Sequence, residues 1–386
     1  MLAHFVSQAL RDGIERNLPL AVARRVRDDD AHLDAAVGWL MASIQATGGH
    51  AAAKAYRFAL GWMPPYPEAS GYILCTLLEL ARQRGEPHLR ETPRTIGDWL
   101  VSIQFPDGGF VGRELGVMDT PVVFNTAMVM LGLNALDREF GDGPFRDAAG
   151  RAAAFLMSCQ DESGCFVRFL SNDIVHTYNV RAAWPLLEYA ELAGRPEFAR
   201  SAGRALGWSL AQQTEGGFFR NNQFKPGGNA NTHGLAFVLE GLLEAHALTG
   251  RDELVAATLR TADRLVELYD ANGWIAADLG EDWRYLSRHI CLTGYAQLAL
   301  SLFKLYPHSN DERHLALGQK LLADACHHQT WASPGKPWHG GLKGSFPIYG
   351  RYAPLQYPSW AAKFLIDALL EKRRVMAVAD ASGLSR

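Results

Sequence analysis

The sequence predicts an all-α fold, an (α/α)6 toroid of six helical hairpins in one domain, and three observations predict it. The first is a recurring turn: an aromatic residue or leucine, a helical turn, a glutamine or similar polar residue, then glycine and often an aromatic. It reads Leu40…Gln45…Gly48-Gly49, Trp99…Gln104…Gly108-Gly109-Phe110, Phe155…Gln160…Gly164-Cys165-Phe166, Trp208…Gln213…Gly216-Gly217-Phe218 and Leu265…Asp270…Gly273-Trp274. A degenerate sixth copy ends near Cys326 to Gln329. The polar positions stand 59, 56, 53 and 57 residues apart, about the length of one helical hairpin with its loops.

The second observation is an alternation of polarity. Helices that end in these turns carry charge, as in Arg146-Asp147…Arg151 and Glu197…Arg200…Arg204, and should face solvent. The helices between them are apolar nearly all round, with small residues such as Ala182, Ala183, Gly234, Gly294, Ala361 and Ala362, as burial on most sides requires. Their starts fall near Ser70, Asn125, Thr177, Thr232, His289 and Ser359, which makes them an inner ring of six. The third observation is loop asymmetry. Links into the inner helices are long (49–69, 107–120, 165–175, 216–230, 273–287 and 329–356), while returns such as Gly194-Arg195-Pro196 are short. Long loops and inner-helix N-termini therefore share one end of the ring, and that end should carry the site. The toroid spans 30–371, closed by hairpin six on hairpin one. Residues 1–29 should form a helical extension on the ring, and 372–386 a frayed tail.

Composition narrows the partners. With 48% hydrophobic residues in 386, the chain holds enough apolar surface for a large core. A formal charge of −3 gives no electrostatic footprint for nucleic acid, and no polybasic run marks an anionic membrane surface. No apolar run approaches the roughly 20 residues that cross a bilayer, and the first residues lack a signal-peptide layout. The reading is a cytoplasmic protein with neither nucleic-acid partner nor membrane insertion, and with its oligomeric state open. Five scattered cysteines (Cys75, Cys159, Cys165, Cys291, Cys326) argue against a disulfide framework.

At the long-loop end, the segment from His176 to Trp184 runs polar groups straight into an apolar helix. Tyr178 and Arg181 fall about one turn apart at its start, with His176 just before them, beside backbone N–H groups that lack partners within the helix. Such a spot suits an anionic, oxygen-rich ligand. The same end brings Glu68 and Tyr72, Asp119 and Asn125, Asn231 and His233, Arg288 and His289, and Trp338, Tyr349, Arg351, Tyr352 and Tyr357. Aromatic faces stack on sugar rings and arginine forks hold carboxylates, so the set points to an acidic oligo- or polysaccharide. Tyr178, His233, His176, His289 and Glu68 are the candidate proton-transfer groups. Arg181, Arg288, Asn125, Asn231, Tyr72, Trp338, Tyr349, Arg351, Tyr352 and Tyr357 are the candidate binding groups.

Three chemistries could use them. Elimination from a uronic acid needs a base at C5 and a group at the carboxylate, C5 epimerisation adds a proton donor on the opposite face, and hydrolysis needs two carboxylates, for which Glu68 and Asp119 are the one nominable pair. A non-catalytic glycan-binding or assembly role would use the same groups. The structural alternatives are that His176 caps its helix, Arg181 pairs with a carboxylate, and Glu68 and Asp119 are first-turn charges. Cys291, Cys326, His327 and His233 are the candidates for a zinc site, but neither metal nor cofactor is expected.

Several segments together resemble α/α-toroid proteins of bacterial exopolysaccharide and capsule biosynthesis: Tyr66 to Tyr72, Val123 to Thr126, His176 to Trp184, Thr232-His233-Gly234, Cys291 to Gln297, Gly344 to Gly350 and Tyr357 to Phe364. That group is distantly similar to unsaturated glucuronyl hydrolases, polysaccharide lyases and glucuronyl C5-epimerases. The resemblance covers most of the chain after residue 60. It implies the toroid, and an action on or binding of a uronate-containing saccharide, of lyase or epimerase type, in polysaccharide biosynthesis or processing. The glutamine and glycine turns also resemble the repeat of terpenoid cyclases, but no Asp-x-Asp-Asp motif opens an inner helix, and Asp28-Asp29-Asp30 precedes the ring. The repeat is therefore read as a structural tie between each outer-helix end and the next loop. Lanthionine cyclases place zinc on a similar toroid, yet Cys291 lies in Arg-His-Ile-Cys-Leu-Thr-Gly and Cys326 precedes His327-His328 with no glycine, a poor match to their motifs.

Overall fold

The computed structural model describes residues 2–17, 27–85, 87–141 and 143–382. Helix α1 (Leu2–Asn17) precedes the ring. The outer ring is α2 (Asp29–Gln45), α4 (Pro87–Ser102), α6 (Phe145–Ser158), α8 (Pro196–Leu210), α10 (Asp252–Asn272) and α12 (Glu312–His327). The inner ring is α3 (Pro67–Arg84), α5 (Val123–Phe140), α7 (Ala183–Ala193), α9 (Thr232–Thr249), α11 (Leu292–Ser309) and α13 (Ser359–Ser382). The polarity pattern holds in three dimensions. Every residue of α5 from Val123 to Asn134 is buried, whereas α8 buries only Phe198, Ser201, Ala202, Ala205, Leu206 and Ser209, a stripe at helical spacing.

Five of the six inner helices begin within three residues of the expected starts. The third one differs in kind: Thr177–Ala182 is a 3-10 turn that leads into α7. Pro185 explains it, because its ring crowds the carbonyl of residue 181 and it has no N–H to bond there.

The glutamine turns are ties between neighbouring hairpins. Gln104 Nε2 donates to Gly108 O of its own turn and to Ala148 O of the next outer helix, both at 2.9 Å. Gln160 repeats this with Gly164 and Ser201, and Gln213 with Gly217 and Ala257. The degenerate sixth copy closes the ring: Gln329 Nε2 donates to Gly340 O and to His32 O of α2, while His32 Nδ1 lies 2.6 Å from Gln329 Oε1. Gly340 shows why the turn needs glycine. Its φ is +81°, and a Cβ there would lie 1.9 Å from Ala35 O of α2. On the inner side α13 packs against α11, α2 and α3.

The long loops carry only short strands. β1 (Ala55–Arg57) pairs with β2 (Gly61–Trp62) and with β7 (Gln356–Pro358), β3 (Ala230–Asn231) with β4 (Asp278–Leu279), and β5 (Ile290–Cys291) with β6 (Ser345–Phe346), all antiparallel. Three of these four pairings stitch neighbouring loops, the β1–β7 pair across the closure.

The structure places three of the expected features. The boundary at residue 372 falls inside α13, which continues to Ser382 and is held to α2 by Lys372 on Asp29 at 2.6 Å and Arg373 on Asp30; residues 383–386 lie outside those described. The N-terminal extension is helical over 2–17, with 18–26 outside the described residues. Trp338 and Tyr357, both candidate saccharide-binding groups, anchor α1: His4 stacks on Trp338 at 4.0 Å and lies 2.9 Å from Tyr357 Oη. Below them the buried Asp12 takes Lys343 Nζ at 2.6 Å and Ile348 N at 2.7 Å.

Trp99 and Trp208 are half-buried rather than core residues. Trp99→Ala should therefore cost about 1–2 kcal/mol, below the roughly 3–5 kcal/mol of a fully buried ring. Urea unfolding of the variant checks this, and a loss above 3 kcal/mol would show the ring to be a core element.

Candidate functional site

A cavity of about 220 Å³ lies where the inner helices begin. Glu68 of α3, Asn125 of α5, Tyr178 of the 3-10 turn, His233 of α9 and Trp360 of α13 each reach it from the first turn of their helix. Loop residues Tyr66, Ser171, Asn172, Phe224 and Tyr352 complete the wall, with Phe124 and Phe237. The lining is thus aromatic, with a single carboxyl group.

Glu68 sits one residue after Pro67, which starts α3 and suits the first helical position. Tyr66 Oη donates to Glu68 Oε2 at 2.6 Å. Burial beneath the loops raises the Glu68 pKa, and the opposing pulls of Tyr66, Lys54, Arg181 and Tyr72 do not cancel it. The phenols around it are held neutral. Burial first, then the Glu68 charge, raises Tyr66, Tyr72 and Tyr178 far above the ordinary range, and burial does the same for Tyr352, whose Oη accepts from Trp360 Nε1 at 2.8 Å. The Tyr178 phenol, a candidate proton-transfer group, is therefore held in its neutral form.

His233 enters the cavity from the start of α9. Asn231 caps that helix by accepting from His233 N at 3.0 Å and donates to Asp278 at 3.0 Å, so its side chain is spent on structure. Burial, then the Arg181 charge, lowers the His233 pKa to about 3, and the imidazole is neutral at physiological pH. His176 stands behind the wall. Its ring stacks on Tyr178 at 4.3 Å and its Nε2 lies 2.8 Å from Ser171 O, which orients Tyr178 from outside the cavity.

Arg181 is not at the mouth. Three residues into a 3-10 turn carries it about 6 Å deeper than Tyr178, where it is 0% exposed and pairs with Glu240 Oε1 at 2.8 Å. Tyr72, Trp184, Phe237 and Phe364 surround its guanidinium at 5.0–5.8 Å. Gln297 Nε2 donates to the other Glu240 oxygen at 2.6 Å. Burial favours a neutral Glu240, but Arg181, with Lys363, Lys304 and Gln297, outweighs it and holds the carboxyl down at about 2. The expected carboxylate clamp already holds a carboxylate of its own chain. At the far mouth of the ring a cavity of about 640 Å³ is lined by charges that likewise hold each other: Lys363 with Asp367 at 2.5 Å, Lys304 with Glu244, and Arg374 with Glu371.

The remaining candidates scatter. Asp119 is exposed and does not line the cavity, so the carboxylate pair with Glu68 is absent. Tyr349 is 47% exposed on the last loop. Arg288, His289 and Arg351 line a separate polar cavity of about 330 Å³. The four zinc candidates do not converge: Cys291 Sγ accepts from Gly294 N at 3.3 Å, Cys326 lies on the outer helix α12, and His327 is 2.6 Å from Glu15. Reading the sequence missed Phe124, Phe224, Phe237 and Trp360 as wall, and Glu240 and Gln297 as floor.

By sequence the chain matches the prenyltransferase alpha-alpha toroid domain over residues 20–200 and again over 65–238, overlapping matches that together span more than half of it. No curated protein matches it. Its fold is similar to that of an unsaturated glucuronyl hydrolase specific for heparin (TM-score 0.71, 14% identity, covering 90% of this chain and 98% of that one). The unsaturated glucuronyl hydrolase of Bacillus sp. GL1, described as responsible for glycosaminoglycan degradation, gives a TM-score of 0.69 at 15% identity over 90% of this chain and 97% of its own. A D-mannose isomerase gives 0.70 at 10% identity over 91% and 97%. At these identities the likeness is one of fold.

Proposed function

The chain belongs to the prenyltransferase alpha-alpha toroid domain family, and on that scaffold we propose a carbohydrate-active enzyme that takes a ring of an acidic saccharide into the loop-end cavity. The observation that carries this is Glu68: one carboxyl with raised proton affinity, bonded to Tyr66 and walled by aromatic rings. Aromatic walls suit the apolar faces of a sugar, and a carboxyl with raised proton affinity suits proton delivery to a sugar oxygen or carbon. The absence of a second carboxylate among the lining residues argues against hydrolysis by a carboxylate pair. Proton transfer at C5, of lyase or epimerase type, fits better. The neutral His233 accepts the C5 proton and Glu68 supplies one, to the leaving oxygen in elimination or to the opposite face of C5 in epimerisation. The fold neighbours include enzymes described as glucuronyl hydrolases, which supports a uronate-containing or otherwise acidic saccharide. A role in bacterial polysaccharide biosynthesis or processing follows from the segments that resemble such proteins.

Incubation with uronate oligosaccharides tests the reading through three signals read together: absorbance of an unsaturated product, solvent deuterium at C5, and new reducing ends. Absorbance or deuterium is expected. Reducing ends without either, or silence in all three, would refute the proposed chemistry.

A further inference from the structure

The polar cavity lined by Arg288, His289 and Arg351 is built from two segments distant in sequence. Arg288 and His289 come from the loop that ends in β5, and Arg351 from the last long loop. Burial, then the charges of Arg351 and of Arg16 at the end of α1, lower the proton affinity of His289 against the pull of Asp278. Gly350 permits the approach: a Cβ there would stand 2.9 Å from the His289 ring. His289 is only 8% exposed, and its Nε2 has no protein partner. None of the three arginines forms an ion pair among the described residues, although other cations of this surface do. The acids of the neighbouring loop are engaged elsewhere, Glu281 with Arg220 at 2.6 Å and Asp282 with Arg284 at 3.6 Å. Asp278 is the one carboxylate that acts on His289, and it already accepts from Asn231.

We propose that Arg288 and Arg351, with His289 at the base and the Arg16 charge nearby, form a binding site for a phosphoryl dianion, so that the acidic saccharide carries a phosphoryl group in addition to its uronate carboxylate. Three guanidinium charges against one carboxylate leave a surplus of two, which a phosphate monoester matches and a single carboxylate does not. Forked arginine donors fit its oxygens, and a neutral His289 with its proton on Nε2 adds a buried donor. Arg351 precedes Tyr352 of the saccharide cavity, so one ligand can place its ring in the cavity and its phosphoryl group here. The assignment rests on the saccharide reading for the ring and on this cluster alone for the phosphoryl group.

The test is calorimetric titration of the full chain, at constant ionic strength, with inorganic phosphate and with glucuronate. Saturable phosphate binding is expected, at least about tenfold tighter than glucuronate, and about tenfold weaker in Arg288→Gln/Arg351→Gln, because each lost fork removes charge-assisted hydrogen bonds. Glu68→Gln should leave phosphate affinity unchanged. Circular dichroism establishes that the double variant is folded, and Arg288→Lys/Arg351→Lys, which keeps the charge, should recover part of the loss. No saturable phosphate binding, glucuronate as tight as phosphate, or a folded double variant that binds phosphate like the parent would each overturn the site. Phosphate binding that survives Glu68→Gln, in a protein inert toward every saccharide, would uphold the site and refute the catalytic reading instead.

Discussion

Arg181→Met should cost the folded state about 3–5 kcal/mol at pH 7, because it strips the guanidinium from a buried carboxylate and leaves Glu240 uncompensated at the centre of the ring. The neighbouring cations do not replace it, since Lys363 and Lys304 are already held by Asp367 and Glu244. The pH dependence identifies the cause. In the parent, the Glu240 pKa is depressed to about 2 from 4.5, so its contribution is present above about 4.5 and is lost as pH falls toward 2. Without Arg181, burial dominates and the pKa of the carboxyl rises; a raised group stabilises below its unfolded value and loses that contribution as pH climbs. The deficit of the variant should accordingly shrink between pH 7 and pH 4. Glu240→Gln in the same background should recover most of the loss, since the amide can still meet Gln297 without a charge. Urea unfolding at the two pH values decides it: a deficit below 1 kcal/mol at pH 7, or one that grows on acidification, would mean that the pair does not hold the core.

That pair also shows how much of the molecule was legible beforehand. The repeat period and the alternation of polarity foretell both rings and the side that carries the long loops, because hairpin packing is local and recurs. The same period holds the key to the interior. Arg181 and Glu240 stand 59 residues apart, Glu240 and Gln297 57, and Lys304 and Glu244 60. A polar residue in an apolar inner helix, with an opposite or complementary residue one period away, is a partner on the adjacent helix at the same depth. Read so, Arg181 belongs to the floor. Read from its own helix alone, it looks like a clamp at the mouth. Trp338 and Tyr357 were beyond reach for another reason: their partner is α1, more than 300 residues earlier, and no periodicity links the two. Asp119 failed as a catalytic partner because position at the correct end of a toroid does not direct a side chain inward. Glu68 could be singled out, but its raised proton affinity comes from how the loops enclose it, which is not a property of sequence.

Glu68→Gln should lower turnover by about 10²–10⁴-fold, the range supplied by one positioned proton donor or acceptor, with little change in saccharide affinity. The amide keeps the shape of the carboxyl and can still accept from Tyr66, so the cavity stays formed. What it lacks is a proton to give. The stability of the same variant separates this from a structural role. Because burial raises the Glu68 pKa in the folded state, its stabilising contribution is present below the unfolded value of 4.5 and is lost as pH rises through the folded value. Replacing it by an uncharged isostere removes that loss, so at pH 8 the variant should be at least as stable as the parent, the usual relation when a site is built for function at the expense of the fold. The parent's rate should fall as pH rises through the same folded value, since only protonated Glu68 donates, and the variant's residual rate should lack that limb. Thermal unfolding and a pH–rate profile of both proteins give the answer; a variant that is markedly less stable at pH 8, or one that retains full turnover with the same alkaline limb, would assign Glu68 to the scaffold.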